Sequence, residues 1–95
     1  MSDTISHNSY FEGKVQSLGL QTTQGKATVG VMLPGKYKFG TNTQETMVIV
    51  SGELNVNLHD AEWKIYTAQE SFIVAADTSF YVSCDEDVAY ICYYA

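Results

Sequence analysis

The stretch Gly35-Lys36-Tyr37-Lys38-Phe39-Gly40-Thr41-Asn42-Thr43-Gln44-Glu45-Thr46-Met47-Val48-Ile49-Val50-Ser51-Gly52 decides the fold. It follows Pro34, the only proline in the chain. Tyr37 and Phe39 alternate with Lys36 and Lys38, which is the two-residue period of a strand with its aromatics on one face and its lysines on the other. Gly40 to Gln44 is polar and bend-forming. Glu45 then opens a β-branched apolar run that closes on the turn pair Ser51-Gly52. The stretch therefore reads as two strands joined by a bend, with one carboxylate at the mouth of an otherwise apolar pair.

The same pattern extends outward in both directions. Lys14 to Leu20 predicts a strand, and so does Lys26 to Leu33, where Ala27, Val29, Val31 and Leu33 fall on one face. Glu53 to His59 sets Leu54, Val56 and Leu58 against Asn55, Asn57 and His59. Residues Trp63 to Ala68, Ser71 to Ala76, Ser79 to Cys84 and Val88 to Tyr94 complete a set of nine short strands. Asp60 to Glu62 has room for a single helical turn. Turn residues at Gln24-Gly25, Pro34-Gly35 and Asp85-Glu86-Asp87 keep the connections short. The expectation is an all-β chain folded as a sandwich or small barrel, which controls exposed strand edges. Residues 1–9 are expected to form a flexible lead-in with His7 and Asn8 solvated, and residues 10–95 a single domain.

Composition narrows the function. Eleven acids face five bases, all of them lysine, for a net charge of −6. Nucleic acid and anionic membrane surfaces both call for cationic contacts, so neither is an expected partner. A small anion would have to be held by lysine or backbone amides, without the bidentate fork of arginine. No apolar run reaches the ~18–20 residues of a membrane span. Met1 to Ser9 has neither the basic start nor the apolar stretch of an export signal, and Cys84 and Cys92 read as reduced thiols, so a cytoplasmic location is expected.

Glu45-x6-Gly52 resembles the end of the first cupin motif. In that register Phe39, Thr41 and Glu45 stand where the motif has His-x-His-x3-Glu, and Phe80 stands at the histidine of the second motif. A closer likeness spans nearly the whole chain. Tyr10-Phe11-x-Gly13-Lys14-Val15, Val29-Gly30-Val31-Met32, Glu45-x-Met47-x-x-Val50-Ser51-Gly52-x-Leu54-x-Val56 and Tyr90-x-Cys92-x-Tyr94 resemble the pyrimidine/purine nucleoside phosphorylases, which are small cupins. That resemblance implies a single-domain cupin-type β-barrel or jelly roll. It also implies pentosyl transfer from purine and pyrimidine nucleosides to inorganic phosphate, giving free base and ribose 1-phosphate. The chain departs from the family pattern where Tyr93 replaces an arginine, Tyr81 a histidine, and Ala75-Ala76-Asp77 a Pro-Gly-His.

Candidate site residues follow from both readings. Glu45 is the catalytic candidate; buried at a strand mouth it would be desolvated and suited to general acid work, whereas in the plainer alternative it is a strand-end glutamate facing solvent or a lysine. Tyr37, Thr41, Thr43 and Ser51 are neutral hydrogen-bonding candidates for sugar or phosphate. Phe39, Met47, Phe80 and Tyr90 could wall a base, or could simply be core. Lys14 is the phosphate candidate, or else an ordinary surface lysine. With Phe39, Thr41 and Phe80 at ligand positions, no metal and no cofactor is expected. The last strand is apolar on both faces, which points to a homodimer. Two other classes remain: a non-catalytic small-molecule-binding cupin, and a metal-dependent cupin enzyme.

Overall fold

The computed structural model describes residues 4–58 and 62–94. His59 and most of the turn expected at Asp60 to Glu62 lie outside the described residues. Each of the nine expected strands is present, and β1 (His7–Tyr10) precedes them. A short left-handed turn at Phe11–Gly13 leads into β2 (Val15–Thr22) and β3 (Gly25–Met32). They are followed by β4 (Gly35–Gly40), β5 (Glu45–Ser51), β6 (Leu54–Leu58), β7 (Lys64–Tyr66), β8 (Ser71–Val74), β9 (Ser79–Cys84) and β10 (Val88–Tyr94). The expected lead-in is thus partly sheet, because His7 to Tyr10 pairs antiparallel with Val15 to Leu18.

The strands form two antiparallel sheets and do not close into one hydrogen-bonded barrel. The larger has the order β1-β2-β3-β10-β5-β8 and the smaller β4-β9-β6-β7. Their inner faces share one core. Val15, Met32, Ile49 and Val88 come from the large sheet, and Tyr37, Leu54, Val56, Phe80 and Val82 from the small one. Burying such side chains is worth about 1.5–3 kcal/mol each, and this is what holds the sheets face to face. The Ser51-Gly52 turn depends on its glycine: Gly52 has φ +90°, and a Cβ there would meet the Asp87 carbonyl oxygen at 2.6 Å.

Strand parity fixes what faces the cavity. On β2, Val15 and Ser17 point inward, so Gln16 and Leu18 point out. On β3 the inward residues are Thr28, Gly30 and Met32, whereas Val29 and Val31 are 42% and 49% exposed. Val29 and Val31 in the Ala27-Val29-Val31-Leu33 periodicity therefore lie on the outer face of β3, not the core face, while Ala27 is fully buried. Across the large sheet the register sets Gly30 beside Tyr90 beside Ile49, then Thr28 beside Cys92 beside Met47, and Tyr94 beside Glu45.

Candidate active site

A cavity of about 740 Å³ opens between the sheets. One side is aromatic. Phe39 and Phe80 have ring centroids 5.7 Å apart, and Phe11 meets Phe39 edge-on at 5.6 Å. Tyr90 faces them from β10, where there is room for its ring because residue 30 is glycine; a Cβ at Gly30 would collide with that ring. The other side is polar. Asn8 donates from Nδ2 to Ser17 Oγ at 3.4 Å, and the hydroxyls of Thr28 and Tyr94 are hydrogen-bonded at 3.1 Å. Lys26, Asn42 and Thr43 complete that side at the rim.

Glu45 stands on this rim at the start of β5, brought there by the bend that the quoted stretch predicts. Cys92 Sγ donates to Glu45 Oε1 at 3.4 Å. Partial burial raises the pKa of Glu45, and the Cys92 hydrogen bond opposes that shift. Burial, then the neighbouring Glu45 charge, pushes the Cys92 thiol up to about 12, so it is a donor and not a nucleophile at neutral pH. Tyr94 is pushed up to about 12, again chiefly by burial. The site thus holds one carboxyl group whose pKa is raised by burial, within a set of neutral donors.

Lys26 is the cation that strand parity directs to this rim. It shares the inner face with Thr28 and lies one step beyond the Ala27–Tyr93 pair, in the same cross-sheet row as Tyr94 and Glu45. Two strand spacings, roughly 10 Å, separate the backbones of residues 26 and 45, and a lysine side chain spans much of that distance. Lys38 borders the cavity, but its ammonium sits over the Tyr81 ring, 5.6 Å from the centroid.

The structure brings together Glu45, Phe39, Thr43, Met47, Phe80 and Tyr90 around the cavity. It does not bring the other four candidates there. Lys14 is exposed in helical backbone just before β2 and does not line the cavity. Tyr37 is in the core, and its hydroxyl donates to the Leu33 carbonyl at 2.7 Å. Thr41 is buried; its hydroxyl donates to the Ala75 carbonyl at 2.7 Å and accepts from the Thr78 amide at 3.1 Å, which pins the bend. Ser51 is exposed beyond an irregularity in the β5–β10 pairing and sits opposite Ala89. Phe11, Lys26, Thr28, Cys92 and Tyr94 were not singled out from sequence. The signal for Lys26 and Thr28 was available in the parity of β3, but the more apolar face of that strand masked it.

The metal-ligand positions of the cupin motif hold side chains without suitable donors. Phe39 and Phe80 belong to the aromatic wall, and the Thr41 hydroxyl is committed to backbone. Among the described residues no three of His, Cys, Asp and Glu gather at one point. The departures at Tyr81 and Tyr93 both fall on outer faces, Tyr81 opposite Lys38 and Tyr93 opposite Thr46.

Two facing antiparallel sheets around an aromatic-walled cavity, with a glutamate at its rim, define an all-β protein of the cupin class. An RmlC-like cupin from Shewanella frigidimarina shares the fold, with a TM-score of 0.75 at 18% identity over 97% of this chain and 84% of that one. Within that class the chain belongs to the pyrimidine/purine nucleoside phosphorylase family, whose model matches residues 5–94. A pyrimidine/purine nucleoside phosphorylase from Marinobacter nauticus is 48% identical over 88 residues, covering 92% of this chain and 95% of the relative. One from Pseudomonas putida is 47% identical over 88 residues, with 92% and 94% covered. The crystal structure of a Vibrio parahaemolyticus protein, 43% identical, matches with a TM-score of 0.89 over 94% of this chain and 96% of that one.

Proposed function

We propose that this chain catalyses phosphorolysis of purine and pyrimidine nucleosides, releasing free base and ribose 1-phosphate. The observation that carries this reading is the position of Glu45, a partly buried carboxyl between an aromatic wall and a row of hydroxyls and lysine, in a chain of this family. The base lies against Phe39, Phe80 and Tyr90. Phosphate is held at the rim by Lys26, with Asn42 and Thr43 as neutral donors. A phosphate oxygen attacks the ribosyl C1′ as the C1′–N bond breaks, and the bonding pair leaves with the base. Glu45 donates its proton to the departing nitrogen and is reprotonated from solvent, the role that its raised pKa suits. Cys92 and Tyr94 hold Glu45 and the rim in place. No metal enters this scheme, because the donors at the ligand positions are rings and a committed hydroxyl.

The outer face of the large sheet supports a homodimer. Leu18, Leu20, Val29, Val31, Val50 and Ile73 are exposed there, with Ile91 and Tyr93 beside them. Among the described residues, the face between Gln16 and Ile73 presents no charged side chain in a molecule of net charge −6, so it is a face on which two copies would meet without repulsion. From strand spacing and rise it measures roughly 600 Å², near the ~800 Å² per partner of a standard interface. The two free, buried thiols Cys84 and Cys92 suit a reducing compartment such as the cytoplasm.

The test is incubation with uridine or adenosine, with and without phosphate. Free base and ribose 1-phosphate should appear only when phosphate is present. Base release without phosphate would mean hydrolysis. Tight nucleoside binding with no base release in either case would favour the non-catalytic binding cupin.

A further inference from the structure

The turn between β1 and β2 holds two bulky residues in a strained conformation. Phe11 and Glu12 both adopt the left-handed backbone region, with φ 53° and 59°, and Gly13 follows at φ 88°. Bulky L-residues are outliers there, whereas glycine would take up the same turn without strain. No residue of the turn is buried, and Phe11 remains 40% exposed. What the conformation does achieve is to aim the Phe11 ring across the gap between the sheets. It lies 4.9 Å from the Tyr37 ring and meets Phe39 at 89°. Phe39 in turn reaches Phe80 at 5.7 Å, so Phe11 is the outermost ring of a continuous aromatic wall and lines the cavity mouth.

Backbone strain at an exposed aromatic that borders a cavity is the pattern of a ligand contact. We propose that Phe11 is the outer aromatic platform that meets the nucleobase edge-on, and a determinant of purine over pyrimidine preference; this rests on the nucleoside reading of the same cavity. Every base offers a π face, so a stacking wall accepts both ring sizes. Phe39 and Phe80 serve either base, and the edge of the longer purine extends outward to meet the Phe11 ring, which stands at 89° to Phe39.

The test uses Phe11→Leu, which keeps apolar bulk and loses the ring, and Phe11→Tyr, which keeps the ring. Calorimetry measures adenosine and uridine binding without phosphate, steady-state kinetics gives KM for nucleoside and for phosphate, and melting temperatures confirm that both variants fold. Phe11→Leu should weaken adenosine binding about tenfold and uridine binding less, with the phosphate KM unchanged, while Phe11→Tyr stays close to wild type. Wild-type adenosine affinity in Phe11→Leu, equal loss for both nucleosides, or a Phe11→Tyr variant as weak as Phe11→Leu would overturn the proposal. The binding arm separates the two levels. A wild-type protein that binds adenosine in a Phe11-dependent way yet releases no base supports the platform and refutes phosphorolysis; one that binds neither nucleoside refutes the platform.

Discussion

Replacing Glu45 by glutamine separates catalysis from stability, because the proposed role and the partial burial of Glu45 predict effects of opposite sign. Glutamine keeps the shape and can still accept a hydrogen bond from Cys92, but it removes both the charge and the transferable proton. Glu45 is partly buried, and the donor on its carboxylate is a thiol at 3.4 Å, a weak and long hydrogen bond. A poorly partnered buried polar group costs about 1–3 kcal/mol; discounting for the water that still reaches this one leaves about 1 kcal/mol to be recovered. In a domain of this size that raises Tm by roughly 4–8 °C. Turnover should fall by roughly 10²-fold, the scale for a positioned proton donor, which is about 2.7 kcal/mol of barrier. The pH dependence has a definite sign. Burial raises the folded-state pKa of Glu45, so the protonated form is favoured in the fold. Its stability contribution is complete below the unfolded pKa and is lost as pH rises through the folded one. Turnover falls over the same upper limb, and Glu45→Gln should flatten both profiles. The assay measures kcat by base release and Tm by calorimetry on the same preparations, from acid to neutral pH. A variant with near-normal kcat per folded molecule, or with a lowered Tm and unchanged turnover, would refute the catalytic assignment and leave Glu45 a structural side chain.

Lys26→Ala should raise the phosphate KM about tenfold or more with little change in the nucleoside KM, while Lys14→Ala, before β2 and away from the cavity lining, should change neither; initial rates over a phosphate titration decide between them. Gly30→Ala drives a Cβ into the Tyr90 ring and should cost about 1–3 kcal/mol, read as a lower Tm in thermal unfolding together with weaker nucleoside binding as Tyr90 is displaced into the cavity. Val31→Lys places a charge in the apolar outer face and should convert a dimer to a monomer in sedimentation velocity without disturbing the core, since Val31 is 49% exposed in the single chain; an unchanged sedimentation coefficient would remove this face as the interface.

Much of the fold was legible because short strands carry their own punctuation. The bend after Phe39, the Ser51-Gly52 turn and the clean alternation from Leu54 to Leu58 all lie where local pattern and tertiary burial agree. Glu45 was legible for the same reason, standing where a polar bend meets an apolar strand. Thr41 and Tyr37 were not placed correctly, because a hydroxyl that pins a loop to a carbonyl and one that binds a sugar look identical in sequence. Only the accepting carbonyls of Ala75 and Leu33 distinguish them, and these are tertiary facts. β1 was missed because His7-Asn8-Ser9-Tyr10 is polar on both faces and is held by pairing with β2, which supplies what its own side chains do not.

The reversed reading of β3 has a physical cause that ties the site to the interface. Periodicity reports which face of a strand is more apolar, and in a monomeric sandwich that face is the core. On β3 the inner face carries Thr28 and Gly30 because it forms the floor of a cavity that must offer a hydroxyl and leave space for the Tyr90 ring. The outer face carries Val29 and Val31, level with Leu18 on β2 and with Ile91 on β10. A strand whose outer face is more apolar than its inner one has exchanged its usual roles. It lines a polar site on one side, and on the other it presents the apolar surface on which the proposed dimer would form. The alternation that misplaced Thr28 is therefore the same feature that points to the dimer, and a cavity floor stiffened from behind by a partner's sheet would be held more rigidly than one backed by water.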